Sequence, residues 1–243
     1  MIDASLLSRS CADAALEALL DTEDSTVHGY TPAAGLVALR AAVAEALAGS
    51  GVAVSSDLLY VTCGAPAGRA ILVRALLSAG DEVLFLYPPE ADLRAAVEAV
   101  GAFVVENGIL TERTRLVVLS DSDPIPAGLA DALRAAEKAY GQPVYLLADC
   151  VSPTEENLSL LRDYDSCVLN GDFGTELAGE CIGYLAVSER AREAELLFAA
   201  IAGAGRACGY VNPPSLMQRA VEKCLSGDKI CPVRTDGARF LDQ

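Results

Sequence analysis

Few residues in this 243-residue chain are of a type and placement to do chemistry. Asp149 ends an apolar run at 145–148 that reads as a strand, so its carboxylate sits where a sheet edge meets a loop. On its own residues it reads as the cap of the turn that follows. Gly64-Ala65-Pro66-Ala67-Gly68 also follows a strand. Backbone N–H groups at a helix start attract anions. The run lacks, however, the G-x-G-x-x-G spacing and the later ribose-binding acid of a dinucleotide loop. Eight cysteines, at 11, 63, 150, 167, 181, 208, 224 and 231, show no C-x-x-C spacing, and His28 is the single histidine. That argues against zinc and for reduced, core-filling thiols in a cytoplasmic protein. The chain has three lysines, Lys138, Lys223 and Lys229, and all read as solvated surface residues.

The elements that must position these groups follow from periodicity. A short helix is expected at 11–20, then a polar turn at 21–26 and a break at His28-Gly29-Tyr30-Thr31-Pro32. A helix beginning near Ala34 puts Leu36, Leu39, Val43 and Leu47 on one face, and Gly49-Ser50-Gly51 ends it. Strands are expected at 58–61, 83–86, 103–105, 116–119, 144–147, 167–169 and 183–187. Helices are expected at 67–78, 92–100, 129–140, 189–204 and 213–225, the last opened by Asn212-Pro213. Short β-rich runs alternating with such helices predict an α/β fold, a mostly parallel central sheet covered by helices on both faces. No linker, repeat or low-complexity tract divides the chain, so residues 1–243 read as one domain.

Bulk properties exclude several roles. The net charge is −16 and the pI about 4.4, which repels phosphate backbones and argues against nucleic acid as a partner. No block of like charge marks an acidic tail, so the charge reads as solvation of outer helix faces. There is no basic start followed by an apolar run. The longest apolar stretch, 196–205, falls well short of the ~20 residues of a membrane span, so no membrane association is expected.

Four segments, in order, carry a family likeness. They are His28-Gly29-Tyr30-Thr31-Pro32-Ala33-Ala34-Gly35 with Leu39-Arg40, Val61-Thr62-Cys63-Gly64-Ala65 with Gly80-Asp81-Glu82-Val83, Leu177-Ala178-Gly179-Glu180-Cys181-Ile182-Gly183-Tyr184, and Gly209-Tyr210-Val211-Asn212-Pro213-Pro214-Ser215-Leu216-Met217-Gln218-Arg219. Together they resemble the large domain of the class I and II aminotransferases, pyridoxal-phosphate enzymes of fold type I. The resemblance implies an aspartate-aminotransferase-like sheet, the cofactor pyridoxal 5'-phosphate, and amino-group transfer between amino acids and 2-oxo acids. By the same resemblance the small C-terminal domain, with its substrate-binding arginine, is expected to be absent. Two internal trims are expected, after Val105 and between Asp149 and Asn170.

Carried over residue by residue, the likeness predicts a degenerate site. Counting back four from Leu177 places Phe173 at the Schiff-base lysine, and counting forward four places Cys181 at a phosphate-binding arginine. A phenyl ring can neither form an imine nor move a proton. Ile125 stands at an asparagine for the pyridine hydroxyl, Glu90 in the turn of the stacking aromatic, and Ser152 at a tyrosine. Pro66 removes an N–H from the phosphate cradle. Four residues keep matching types. Gly64 and Ala65 match phosphate-binding N–H donors, Asp149 the partner of the pyridinium nitrogen, and Tyr30 a tyrosine that reaches the neighbouring subunit's phosphate. The resulting expectation is an aminotransferase homologue, a pseudoenzyme, that has lost covalent cofactor binding. The alternatives are a non-catalytic partner in a homo- or heterodimer with an aminotransferase-type subunit, lending Tyr30, and a residual non-covalent binder of the cofactor. A working transaminase would need an amine that the sequence does not offer.

Overall fold

A computed structural model describes residues 27–120, 124–149, 154–173, 179–209 and 212–226. In chain order these form α1 (Val37–Gly49), a 3-10 turn (Ser56–Leu58), β1 (Leu59–Thr62), α2 (Gly64–Leu76), β2 (Glu82–Phe85), α3 (Ala91–Ala99), β3 (Phe103–Val105) and β4 (Thr114–Ser120). They continue with α4 (Leu129–Tyr140), β5 (Tyr145–Asp149), α5 (Glu155–Asp163), β6 (Cys167–Asp172), β7 (Gly183–Val187), α6 (Ala194–Ala207) and α7 (Ser215–Ser226).

The seven strands form one sheet in the order β1-β7-β6-β5-β4-β2-β3. The pairs β2–β3, β2–β4, β4–β5 and β5–β6 are parallel, and β7 runs antiparallel to both β6 and β1. Alternation along each strand feeds two cores. Val117, Leu119, Leu146, Ala148 and Leu169 pack with leucines of α1, α4 and α5 and with Met217 and Val221 of α7. Leu116, Val118, Tyr145, Leu147 and Val168 pack with Ile71 and Leu72 of α2, Leu93 and Val97 of α3, and Ile201 of α6. Such a sheet, apolar on both faces, is stable only when helices cover both, as the strand pattern predicted.

Several boundaries differ from the sequence reading. α1 starts at Val37, because Gly35 adopts φ 96° and packs against Val61, where a Cβ would lie 2.3 Å from its Cγ2. α2 starts at Gly64, three residues before the expected 67, since a proline in the first turn sacrifices no helical hydrogen bond. α6 spans Ala194–Ala207 rather than 189–204. α5 was not expected at all. Its start is set by side chains: Thr154 Oγ1 accepts the Asn157 N–H while Asn157 Oδ1 accepts the Thr154 N–H. The expected trim between Asp149 and Asn170 thus still contains a complete helical crossover. The helix expected at 11–20, together with Cys11, Cys150, Ser152, Lys229 and Cys231, lies outside the described residues. Among the described residues no helix is long and apolar enough to cross a membrane.

Candidate functional site

The C-terminal ends of β5 and β6, the start of α2 and the turn before α3 converge at one edge of the sheet. Asp149 and Asn170 are register partners across β5 and β6. Alternation turns both toward α2, the same side as Val168 and Leu147. The Asn170 side chain, fully buried, donates through Nδ2 to Asp149 Oδ1 at 2.7 Å and to the Ala65 carbonyl at 3.1 Å. Its Oδ1 presses on the helix: a Cβ at position 68 would lie 2.1 Å from it, so only glycine fits there.

Arg69, one residue further along α2, fills the space above Asp149. Its Nε lies 2.7 Å from Asp149 Oδ2, an ion pair rather than an aligned hydrogen bond. Its Nη1 reaches Glu90 Oε2 at 2.5 Å and Asp92 Oδ2 at 2.9 Å. The Arg69 and Asp149 side chains are only 11% and 9% exposed, against 70% and 47% for Glu90 and Asp92, so the strong contact is the inner one. Burial raises the Asp149 carboxyl above the ordinary aspartate value, although Arg69 and Asn170 pull it back. Burial also opposes the Arg69 charge, but Asp149, Glu90 and Asp92 together more than offset it and hold the guanidinium above its usual value.

At the start of α2, Gly64 has φ 80°, and a Cβ there would lie 3.8 Å from both Cα and Cβ of Cys181. The segment leading into β7 therefore passes over the helix start. The Ala65 N–H, the first donor past Gly64, points at a carboxylate, Asp172 Oδ2, at 3.4 Å. Cys63 precedes the helix without capping it. Its thiol is pushed up by burial and by the nearby Cys181.

Phe173 follows β6 and extends its pairing, donating its N–H to the Ile182 carbonyl at 2.9 Å. Its ring packs on Tyr184 with centroids 5.7 Å apart and joins the core on the α1, α4 and α5 side. It is thus turned away from the α2 side, where Asp149 has its partners. Gly171 makes room for that tyrosine, since a Cβ would lie 2.6 Å from its hydroxyl. Residues 174–178 lie outside the described residues.

Of the residues singled out from sequence, Gly64, Ala65, Asp149 and Glu90 come together around α2. Ile125 lines a separate cleft with Asp131, Glu156 and Asp163. Tyr30 stands apart, 97% exposed on the rim of a cleft of about 330 Å³ that Asn212, Pro213 and Ser215 also line. Sequence reasoning missed Arg69, Asn170 and Asp172. One signal pointed to Arg69: a charge set between Gly68 and Ala70 in the first, otherwise uncharged half of the helix. Among the described residues no cluster of His, Cys, Asp and Glu is arranged to hold a metal ion.

Comparisons with known proteins agree with this architecture. Residues 3–123 match the family model of aminotransferase class I and II. An aminotransferase from Eubacterium rectale is 31% identical, with a TM-score of 0.80 over 90% of this chain and 64% of its own. A Thermus thermophilus aspartate aminotransferase variant (21% identity, TM-score 0.72) and an alanine aminotransferase from Pyrococcus furiosus (18%, 0.74) each align over 90% of this chain and 61% of theirs. At those identities the two show the fold alone. No curated protein matches. Across residues 3–123 the chain belongs to the class I and II aminotransferases, and the aspartate-aminotransferase-like fold runs on beyond them. It spans less than two thirds of the length of these structures.

Members of this family use pyridoxal 5'-phosphate, and the residues present here do not fit it. Phe173, which the sequence likeness sets at the amine position, is a packed phenyl ring; a carboxylate faces the Ala65 N–H, which the likeness gives to the phosphate; and Asp149, which it gives to the pyridinium nitrogen, is already paired with a guanidinium. A phosphate dianion set against Asp172 would meet repulsion where the family relies on attraction.

Proposed function

We propose that this chain is a non-catalytic aminotransferase-like domain, a pseudoenzyme that keeps the family's sheet without its Schiff-base chemistry. The observation that carries this reading is Phe173, whose ring packs on Tyr184 against the core. Neither imine formation nor proton shuttling can occur at a hydrocarbon ring. Amino-group transfer and covalent cofactor binding are therefore absent in this reading. Titration of the purified chain with pyridoxal 5'-phosphate, followed by borohydride and peptide mass mapping, tests it. No lysine should carry the reduced pyridoxyl group; stoichiometric labelling of any one lysine refutes the reading.

A second role is favoured by Tyr30. An aromatic side chain 97% exposed beside a cleft suits contact with a neighbouring subunit better than local packing. The chain would then act as a partner subunit, in a homodimer or a heterodimer with a competent aminotransferase. Co-expression with such an enzyme and analytical ultracentrifugation test this: a Tyr30→Ala variant should lose the mixed species. A cytoplasmic setting accords with both roles, because Cys63, Cys167 and Cys208 form no disulfide.

A further inference from the structure

We propose that Arg69 and Asp172 close the crevice to phosphopyridines by acting as built-in substitutes for the two charged ends of the cofactor. The inference rests on the non-catalytic reading above and goes further. It says that restoring the lysine and arginine types would not by itself restore binding.

The two ends are filled in different ways. At the ring end, the family likeness assigns Asp149 to a cationic ring nitrogen. Here a permanent cation, the Arg69 guanidinium, takes that carboxylate at 2.7 Å and cannot leave by deprotonation. The same guanidinium is anchored from outside by Glu90 and Asp92, at the turn where the likeness places a stacking aromatic. The Glu90 substitution, unexplained as an isolated change, thus becomes the counter-ion of Arg69. Asn170 holds Asp149 from the other side and ties it to α2 through the Ala65 carbonyl.

At the phosphate end, Asp172 faces the Ala65 N–H in the positive field of the helix start. Among the described residues three carboxylates, Glu90, Asp92 and Asp149, thus gather around one guanidinium, and a fourth, Asp172, faces the start of the same helix. An entering dianion would have to displace the Asp172 carboxylate from the Ala65 N–H. The ring would have to displace a cation held by three. Both changes oppose binding independently of whether residue 173 is an amine.

The test compares three chains. One is natural, one carries Phe173→Lys with Cys181→Arg, and the third adds Arg69→Leu and Asp172→Ser. Each is titrated with pyridoxal 5'-phosphate, followed by quenching of tyrosine fluorescence, with circular dichroism and thermal melting as folding controls. The two-substitution chain should bind no more than about threefold tighter than the natural one, and the four-substitution chain at least about tenfold tighter than that. Equal affinity of the two engineered chains overturns the inference. Covalent labelling of a lysine in the natural chain would overturn the non-catalytic reading instead, so the two failures are distinct. Arg69→Leu and Asp172→Ser are also added singly to the two-substitution chain, so that a misfolded combination does not end the test. Either alone should tighten binding, and no gain from a folded single addition counts against that residue's role.

Discussion

Two polar clusters tie distant parts of this chain together, and they differ in kind. One joins the 31–36 segment to α7. Gln218, fully buried, accepts the Leu36 N–H at 2.8 Å and donates to the Pro213 carbonyl at 2.9 Å and to Thr31 Oγ1 at 3.3 Å. Asn212 Nδ2 donates to the Thr31 and Pro32 carbonyls and to Thr31 Oγ1. The other is the Arg69–Asp149–Asn170 cluster at the mouth of the sheet. The first satisfies backbone groups, which every sequence must satisfy somehow, and it uses motif residues that match the family. The second joins side chains chiefly to side chains, with one bond to the Ala65 carbonyl, and its charged members can be exchanged as a unit. The contrast separates main-chain obligations, which any sequence on this fold must meet, from a side-chain cluster that a sequence can exchange.

The contrast can be broken most forcefully at Gln218. Gln218→Leu keeps the volume but leaves the Leu36 N–H, Thr31 Oγ1 and Pro213 carbonyl without this partner, and should cost about 2–4 kcal/mol in urea unfolding. A loss below about 1 kcal/mol would remove the distinction between the clusters. Next comes the mouth. Arg69→Leu alone strands a buried carboxylate and should cost about 2–3 kcal/mol, whereas Arg69→Leu with Asp149→Leu should return to within about 1 kcal/mol of the natural chain. Additive losses would show that this cluster is as obligatory as the first.

The smallest effect is one of slope with pH. Asp149 is raised in the folded chain by burial, so the folded state binds its proton more tightly than the unfolded state does. Its contribution to stability is present below the unfolded aspartate value of about 3.9 and is lost as pH rises through the folded value. Stability of Asp149→Asn relative to the natural chain should therefore increase as pH rises through that window. A decrease, measured by urea titration across it, would mean that Arg69 outweighs burial.

Much of this fold was legible because alternation and helical spacing report burial directly. The 129–140 helix and the strand before Asp149 needed nothing more, since Leu129, Leu133 and Ala136 share one buried face. α5 was not legible. Its sequence, EENLSLLRD, is short and mostly polar, and its start depends on the exchange between Thr154 and Asn157. Nor does a five-residue apolar run state its direction, so the antiparallel setting of β7 emerged only with the sheet. At the site, the sequence likeness singled out Phe173 and Asp149 but not Arg69. A residue type can be read from one position, whereas the Arg69 pairing depends on α2, α3 and β5 meeting in space.

The setting of β7 has a consequence for how the molecule is made. Among the described strands β1 leaves the ribosome first, yet the one ladder they give it is with β7, Leu59 opposite Ala186 about half the chain later. The block from β2 to β6 is built from parallel neighbours and their crossovers, so it can condense during synthesis while β1 waits without a partner. Until residue 187 emerges, the open side of β6 is a sticky edge, and that interval is when a growing copy is most exposed to misassembly with another.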